Sequence, residues 1–369
     1  MYLKKTIAMM ISAYLLPSLG RAQTILGDST QRAQTKQAML GDSVEIVVKQ
    51  KNAHFDSSYY HSYPRELTGR VYWAHKLNTF LLDEPAGTLK YKPNTPPNIG
   101  IGATYGYFSL NISAGLGFFA PPGDKGKTHY FDFQAHFYWR TMSVDLFGQF
   151  YRGYYLSNGS YPGQQADYAR PDMKVNFIGA AAYYVVNFRH FSNRAYAVQD
   201  EWQERSAGSL LLGTGIYYGA IKGDSALAPS AVHADSTGYN IHGAHFFMLG
   251  PGIGYAYTFV YKRHYFLTGG ATVAAGLGYT REYGNGDFNR LGVTPILTYR
   301  LAAGYNSAYW GVGGSWVYNR TAVSGEQGHD AYLVRSGLYQ ITLSHRFGLN
   351  ARTRKTLNSI EKVKNSITP

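Results

Sequence analysis

The stretch "HYFDFQAHFYW", from His129 to Trp139, sorts its residues by every second position. Phe131, Phe133, Phe137 and Trp139 fall in one set, and Tyr130, Asp132, Gln134, His136 and Tyr138 in the other. A repeat of two means an extended strand, because successive Cβ atoms point to opposite faces. The alternation continues past Arg140-Thr141, with Val144, Leu146 and Phe150 on one parity and Ser143, Asp145, Gln149 and Tyr151 on the other. A two-residue turn there predicts Phe137 opposite Val144, Ala135 opposite Leu146 and His136 opposite Asp145. Thr298 and Arg300 alternate in the same way with Leu297, and Gln340 and Thr342 with Ile341 and Leu343. The two faces of these strands must therefore meet two different media.

Composition identifies the media. Only 15% of the residues are Asp, Glu, Lys or Arg, against about 25% in ordinary soluble domains. The chain has 34 tyrosines, 42 glycines and no cysteine, so it has neither a disulfide framework nor thiolate chemistry. Past the leader no run of about 18 apolar residues could cross a bilayer as a helix. In hydrocarbon every N–H and C=O must be paired within the protein, and a sheet achieves this only by closing on itself. The expected fold is therefore all-β, a transmembrane antiparallel up-and-down β-barrel of about twelve strands. In that fold Phe131, Phe133, Phe137, Trp139, Val144, Leu146, Phe150, Leu297, Ile341 and Leu343 face lipid. Tyr130, Asp132, Gln134, His136, Tyr138, Ser143, Asp145, Gln149, Tyr151, Thr298, Arg300, Gln340 and Thr342 line a polar interior, as such barrels permit.

The first residues predict export. Lys4 and Lys5 precede an apolar run, Ile7 to Leu19, and then Gly20-Arg21-Ala22, the order of a secretory signal peptide over 1–22. Export puts the chain in the cell envelope, and its barrel in the outer membrane. Removing that leader takes the formal charge from +13 to +10. For an exported chain this basic balance fits anionic lipid or polysaccharide, not nucleic acid. Outer-membrane lipids are the expected partners, with small solutes and the assembly machinery of that membrane beside them. The sequence does not specify an oligomeric state.

Residues 23–65 are polar and irregular, with a weak strand at Val44 to Val48, and are expected to be a periplasmic lead-in. The barrel is expected over 66–348 and a basic periplasmic tail over 349–369, so both termini would be periplasmic. Strands are predicted near 70–82, 98–106, 109–119, 128–140, 142–155, 173–190, 205–221, 244–260, 264–281, 291–305, 309–319 and 332–347. Long connections at 83–97, 120–127, 156–172, 222–243, 282–290 and 320–331 alternate with short turns, the loop asymmetry of an outer-membrane barrel. The connection 191–204 is the exception, being on the short side yet not short. Pro251 and Pro295 cannot donate to a ladder, which predicts bulges or breaks there. Trp139, Trp310 and Trp316 are expected in the aromatic girdles.

Particular stretches add a resemblance. Gly69-Arg70-Val71-Tyr72 with Lys76, "LKYKPNTPPNIGIGATYGY" (Leu89 to Tyr107), "GKTHYFDFQAHFY", "VDLFGQFYRGYYL", "FDSSYY" and "ERSAGSLLLG" resemble the Bacteroidota outer-membrane barrel family catalogued as domain of unknown function 4421. Lys92-Pro93-Asn94, leading into a glycine-rich strand, is the most specific part. The resemblance spans nearly all of the chain between the leader and Phe347. It implies an outer-membrane barrel, and no activity or functional residue.

The residues themselves offer little catalysis. Ser344 and His345 are adjacent on a strand and so face opposite ways. His190 and Ser192 share a parity but sit beside a loop. His136 with Asp145 is either a polar network that constricts a pore or a structural ion pair. No metal spacing is present among the histidines. The glycine-rich runs lack the Lys-Ser/Thr of a phosphate loop and the context of a dinucleotide fold, so no cofactor is expected. The reading is a passive narrow channel or a structural membrane protein. Its alternatives are a lipid-active hydrolase, which would need Ser, His and an acid together at one rim, and a surface adhesin or binding platform using the exterior loops.

Overall fold

The computed structural model describes residues 54–349, apart from 64, 85–86, 107, 117–124, 231–240, 285–286 and 326–327. The leader, the strand expected at 44–48 and the tail beyond 349 lie outside the described residues. The elements in chain order are β1 (Tyr60–Ser62), β2 (Leu67–Glu84), β3 (Gly87–Lys92), β4 (Asn98–Tyr105), β5 (Phe108–Gly115), β6 (His129–Tyr138), β7 (Met142–Leu156) and β8 (Tyr168–Val185). There follow α1 (Asn193–Ala197), β9 (Glu201–Gln203), β10 (Ala207–Lys222), β11 (Ile241–Tyr261), β12 (Tyr265–Gly284), β13 (Asp287–Asn306), β14 (Trp310–Gly325) and β15 (Gly328–Phe347).

The sheet is antiparallel and closed. Neighbours pair in sequence from β10 through β15, and β15 returns to β2 along a ladder from Phe347↔Leu67 to Tyr332↔Leu82. β7 pairs β8, and β8 pairs β10. Between β2 and β7 the wall is built differently at its two ends. At the end bearing the long loops, β3 pairs the last residues of both strands, so the hydrogen-bonded circuit passes through ten strands. At the end bearing the short turns, the β4–β5 hairpin pairs the first half of β2, and β6 pairs β7 from Ser143 to Arg152. The β6–β7 register sets Phe137 opposite Val144 and His136 opposite Asp145, as the two-residue turn predicts.

Each strand has one face outward, and the outward face is apolar. Leu212, Ile253, Val273 and Leu301 lie on neighbouring strands with their side chains exposed, a surface suited to hydrocarbon. Exposed Trp139, Tyr184, Tyr261, Tyr265, Tyr309 and Trp310 ring the short-turn end, where an aromatic girdle belongs. Trp316 departs from that expectation, since it lies six residues into β14 and stacks on Tyr339 in mid-wall.

Three sequence expectations change. The connections at 282–290 and 320–331 are not long loops, because β12 runs to Gly284, β13 starts at Asp287, β14 runs to Gly325 and β15 starts at Gly328. The strand ladders simply continue past the apolar band there. The connection 83–97 contains β3, which its Pro-rich flank concealed. The interior is not polar throughout: Phe80, Tyr91, Phe177, Phe246, Ile296, Tyr332 and Val334, drawn from six strands, form a buried cluster inside the loop end. Each such side chain removed from water contributes about 1.5–3 kcal/mol. At the two prolines the ladders break locally, one of the two outcomes expected there. β11 and β12 pair at Leu249↔Leu277 and resume at Gly252↔Ala274 in the same register, and the β13–β14 ladder stops at Ile296, beside Pro295.

One glycine directs part of this core. Gly153 has φ +89°, and a Cβ there would stand 2.3 Å from the Lys127 carbonyl oxygen. The β7–β8 register shifts between Arg152 and Tyr154, and beyond that irregularity Tyr154 and Leu156 belong to the buried cluster.

An arginine in the middle of the outer face tests the wall. Ile253→Arg is expected to lower unfolding stability in phospholipid vesicles by about 2–4 kcal/mol, whereas Tyr261→Arg, at the turn, should cost about 1 kcal/mol or less. Urea titration followed by tryptophan emission measures both, and equal costs would contradict the placement of the apolar band.

Candidate functional site

Polar side chains gather inside the short-turn half, beneath the apolar cluster. The β6–β7 hairpin supplies their acids. Asp145 accepts from Arg300 Nη2 at 2.5 Å and from the Tyr138 hydroxyl at 3.2 Å, and its Oδ1 lies 2.7 Å from His136 Nδ1. Arg300 is on β13 and Asp145 on β7, strands that do not adjoin, so this contact crosses the interior. Asp132 accepts from the Tyr151 hydroxyl at 3.1 Å and from Gln149 Nε2 at 3.3 Å, and Lys76 Nζ lies 3.1 Å from its other oxygen. Asn78 links Gln149 to the Tyr154 hydroxyl. Thr298 donates to Asn319, Gln340 donates to Thr342, and Ser143 is buried. Tyr130 reaches Asn98 at 3.1 Å, while Gln134 is located by its register opposite Phe147. On the opposite face Phe131 is 66% exposed and Ile341 58%; Phe133, Trp139, Phe150 and Leu343 are also exposed, and Phe137, Val144, Leu146 and Leu297 partly so.

Below this layer lies a segment that no periodicity in the sequence marks. Residues 186–206 do not turn directly from β8 to β10. They carry α1 and β9, and β9 pairs β1 in a small separate sheet. Ser192 caps α1 by accepting from the Ala195 amide, and its hydroxyl donates to Glu201 at 2.5 Å. Arg346, on β15, is 1% exposed; its guanidinium donates to the carbonyls of Gln199, Glu201 and Ser307 and to Asn306 Oδ1. Ser344 donates to Gln199 Oε1 at 3.0 Å. Arg194 pairs with Asp200 and donates to the carbonyls of Tyr138 and Gly106. These contacts bind the segment into the short-turn mouth as a plug. The legible trace of it was the connection 191–204, too long for its side of the barrel, together with an arginine, Arg346, on the inward parity of the last strand.

Among the described residues neither serine–histidine candidate comes together. Ser344 faces the plug, while His345 stands edge-on to Trp310 outside. His190 Nδ1 contacts Asn187 and its ring lies against Tyr59, while the Ser192 hydroxyl goes to Glu201. Among the described residues no group of three or more His, Cys, Asp or Glu could hold a metal ion. Two cavities beside the plug, about 10 and 20 Å³, are lined in part by Arg70, Tyr196, Gln199 and Arg300, and each has room for about one water.

The cross-barrel pair can be measured. Arg300→Met leaves Asp145 with His136 and Tyr138 only, and is expected to cost about 3 kcal/mol. Adding Asp145→Leu should recover most of that loss, because no buried charge then lacks its partner. Additive losses in the double variant, read by urea unfolding, would mean that the two groups do not interact.

A family described as "Domain of unknown function (DUF4421)" matches residues 54–347. No curated protein matches. Among solved structures the chain is similar to the translocator domain of autotransporter NalP from Neisseria meningitidis, at 14% identity and a TM-score of 0.33, over 86% of this chain and 98% of that one. It is also similar to outer-membrane expressed OmpT of Vibrio cholerae, at 10% identity and a TM-score of 0.27, over 76% and 98%. The P. putida toluene transporter TodX aligns at 9% identity and a TM-score of 0.25, over 78% and 92%. At these scores the barrel assignment rests on the chain's own strand ladders.

Proposed function

The chain belongs to the DUF4421 family, and we propose that it is an integral outer-membrane protein whose barrel is a sealed wall and not a pore. The leader exports it, the short-turn end with both barrel termini faces the periplasm, and the apolar outer band sits in lipid. Of the two passive readings, the filled interior favours the structural one. A conducting barrel keeps a wet lumen along its whole axis. Here three layers occupy it in series: the plug held by Arg194 and Arg346, the ionic layer around Asp132 and Asp145, and the apolar cluster.

The observation that carries this reading is the apolar layer. Phe80, Phe177, Phe246 and Tyr332 are each no more than 2% exposed; Phe80 of β2 stacks on Tyr332 of β15, and Phe177 of β8 packs tilted against Phe246 of β11. Leu227 from the loop after β10 joins them, and its carbonyl accepts from the Tyr91 hydroxyl. Tyr161, from the loop after β7, packs against the same cluster. A plug alone could swing out, but an interdigitated core at native density has no second place to go.

Purified protein in planar bilayers is expected to give no discrete conductance steps, across preparations that retain heat-modifiable gel mobility. Regular single-channel openings from such protein would overturn the sealed-barrel reading.

A further inference from the structure

On the outer face, four neighbouring strands set basic side chains side by side. His129 of β6 pairs with Arg152 of β7, Arg152 with Lys174 of β8, and Lys174 with Lys222 of β10. All four share the outward parity. Their chain neighbours Tyr151, Met173 and Ile221 are buried inside, while His129, Arg152 and Lys222 are exposed and Lys174 is half-buried. Like charges directly opposite one another destabilise a sheet. Such a row needs an anion against it.

The acids of the adjoining loops do not supply it. Asp172 receives the Arg170 guanidinium on both oxygens at 2.9 Å and accepts from the Asp224 amide as well. Asp167 faces Lys125 at 3.5 Å. Asp224, at the start of the loop after β10, is the acid left over there among the described residues, one against three cations. By contrast Arg281, exposed on β12, has Asp287 at 2.6 Å.

The row lies at the upper margin of the lipid-facing wall. Ten residue steps lead along β8 from Tyr184, in the short-turn girdle, to Lys174. At the rise and tilt of a barrel strand they climb about 26 Å, against an apolar band about 25 Å tall. Below the row on the same face, Phe150, Ile178 and Tyr218 are 40–41% exposed. The Tyr218 hydroxyl lies 2.9 Å from His245 Nδ1, and His245 stacks on Tyr283. Rings with a polar edge of this kind gather where hydrocarbon meets headgroups.

We propose that Arg152, Lys174 and Lys222 form a docking site on the outer wall for the headgroup of a diphosphorylated glycolipid of the outer leaflet, with its acyl chains lying down the wall along Phe150, Ile178 and Tyr218. Two strand spacings, about 10 Å in all, separate Arg152 from Lys222. One phosphate does not span that distance, and two phosphates on a sugar do. The Arg152 guanidinium takes one of them with its fork of donors, Lys222 takes the other as a point charge, and Lys174 stands between. The leaflet rests on the orientation proposed above, with the long loops outside the cell. It does not depend on a sealed interior, since the row is on the other face of the wall.

Purified full-length protein in detergent micelles is titrated with diphosphoryl lipid A, and bound lipid is counted by native mass spectrometry. The triple variant Arg152→Gln, Lys174→Gln, Lys222→Gln is expected to bind about a hundredfold more weakly. Arg281→Gln, whose cation already has an acid, should bind as the wild type does. The charge-keeping set Arg152→Lys, Lys174→Arg, Lys222→Arg should retain the affinity, and unboiled gel mobility shows that each variant is folded. Undiminished binding by the Gln variant, equal affinity for phosphatidylglycerol, or displacement by millimolar inorganic phosphate would overturn the site. Because the chain has no cysteine, Ala166→Cys in the loop after β7 reads the orientation separately. An impermeant maleimide should label it on intact cells. Labelling only after the outer membrane is opened would overturn the outer-leaflet assignment even with binding intact. Outside labelling with no lipid discrimination in micelles would remove this site and leave the orientation standing.

Discussion

Backbone pairing is the constraint from which the rest of this molecule follows. A strand that borders hydrocarbon cannot leave its amides to water, so the sheet must return to its first strand. The ladder between β15 and β2, unbroken from Phe347↔Leu67 to Tyr332↔Leu82, makes that return. Once the wall is closed, its outward faces are fixed as apolar and its inward faces are freed to hold anything that satisfies itself. The interior of this barrel uses that freedom in three different ways along one axis.

The three layers differ because the circuit differs in circumference. At the loop end β3 short-circuits the wall between β2 and β7, and the narrower ring is filled by aromatic and aliphatic side chains. Toward the turns the wall runs out through β4, β5 and β6, and the wider space takes ion pairs and then a folded plug. The plug is joined to the wall by two arginines with separate tasks. Arg346 collects carbonyls from the plug and from the β13–β14 turn, while Arg194 ties the plug to the ends of β4 and β6. A guanidinium suits this work because its fork of donors satisfies several carbonyls at once. The place where the wall widens is also where its ladder is interrupted, between β5 and β6. Closure of the polar backbone and filling of the interior are therefore one problem solved at one location.

The alternation of Tyr130, Asp132, His136 and Tyr138 with Phe131, Phe133 and Phe137 was legible because it depends only on the pleat, which every strand shares. So were the strand segments, the hairpin register at Arg140-Thr141 and the breaks beside Pro251 and Pro295. The loop lengths after β12 and β14 were misjudged for a physical reason. Polar residues there read as loop, yet β12 runs to Gly284 and β13 starts at Asp287, and β14 runs to Gly325 and β15 starts at Gly328, because ladder pairing needs no apolar side chains. The plug left only a trace, because Arg346 lies 147 residues from Gln199 and 145 from Glu201, and their pairing announces no period.

The sequence by itself determined a closed sheet with an apolar exterior, since periodicity, low charge and the lack of a spanning helix are local properties that admit few solutions. Only the tertiary structure decided what fills that sheet. Whether Phe80 meets Tyr332 and Tyr91, whether β3 replaces β4 as the partner of β2, and whether β5 reaches β6 all depend on the circumference of the ring. Circumference is set by the tilt and stagger of every strand together, a quantity that no single stretch of residues encodes.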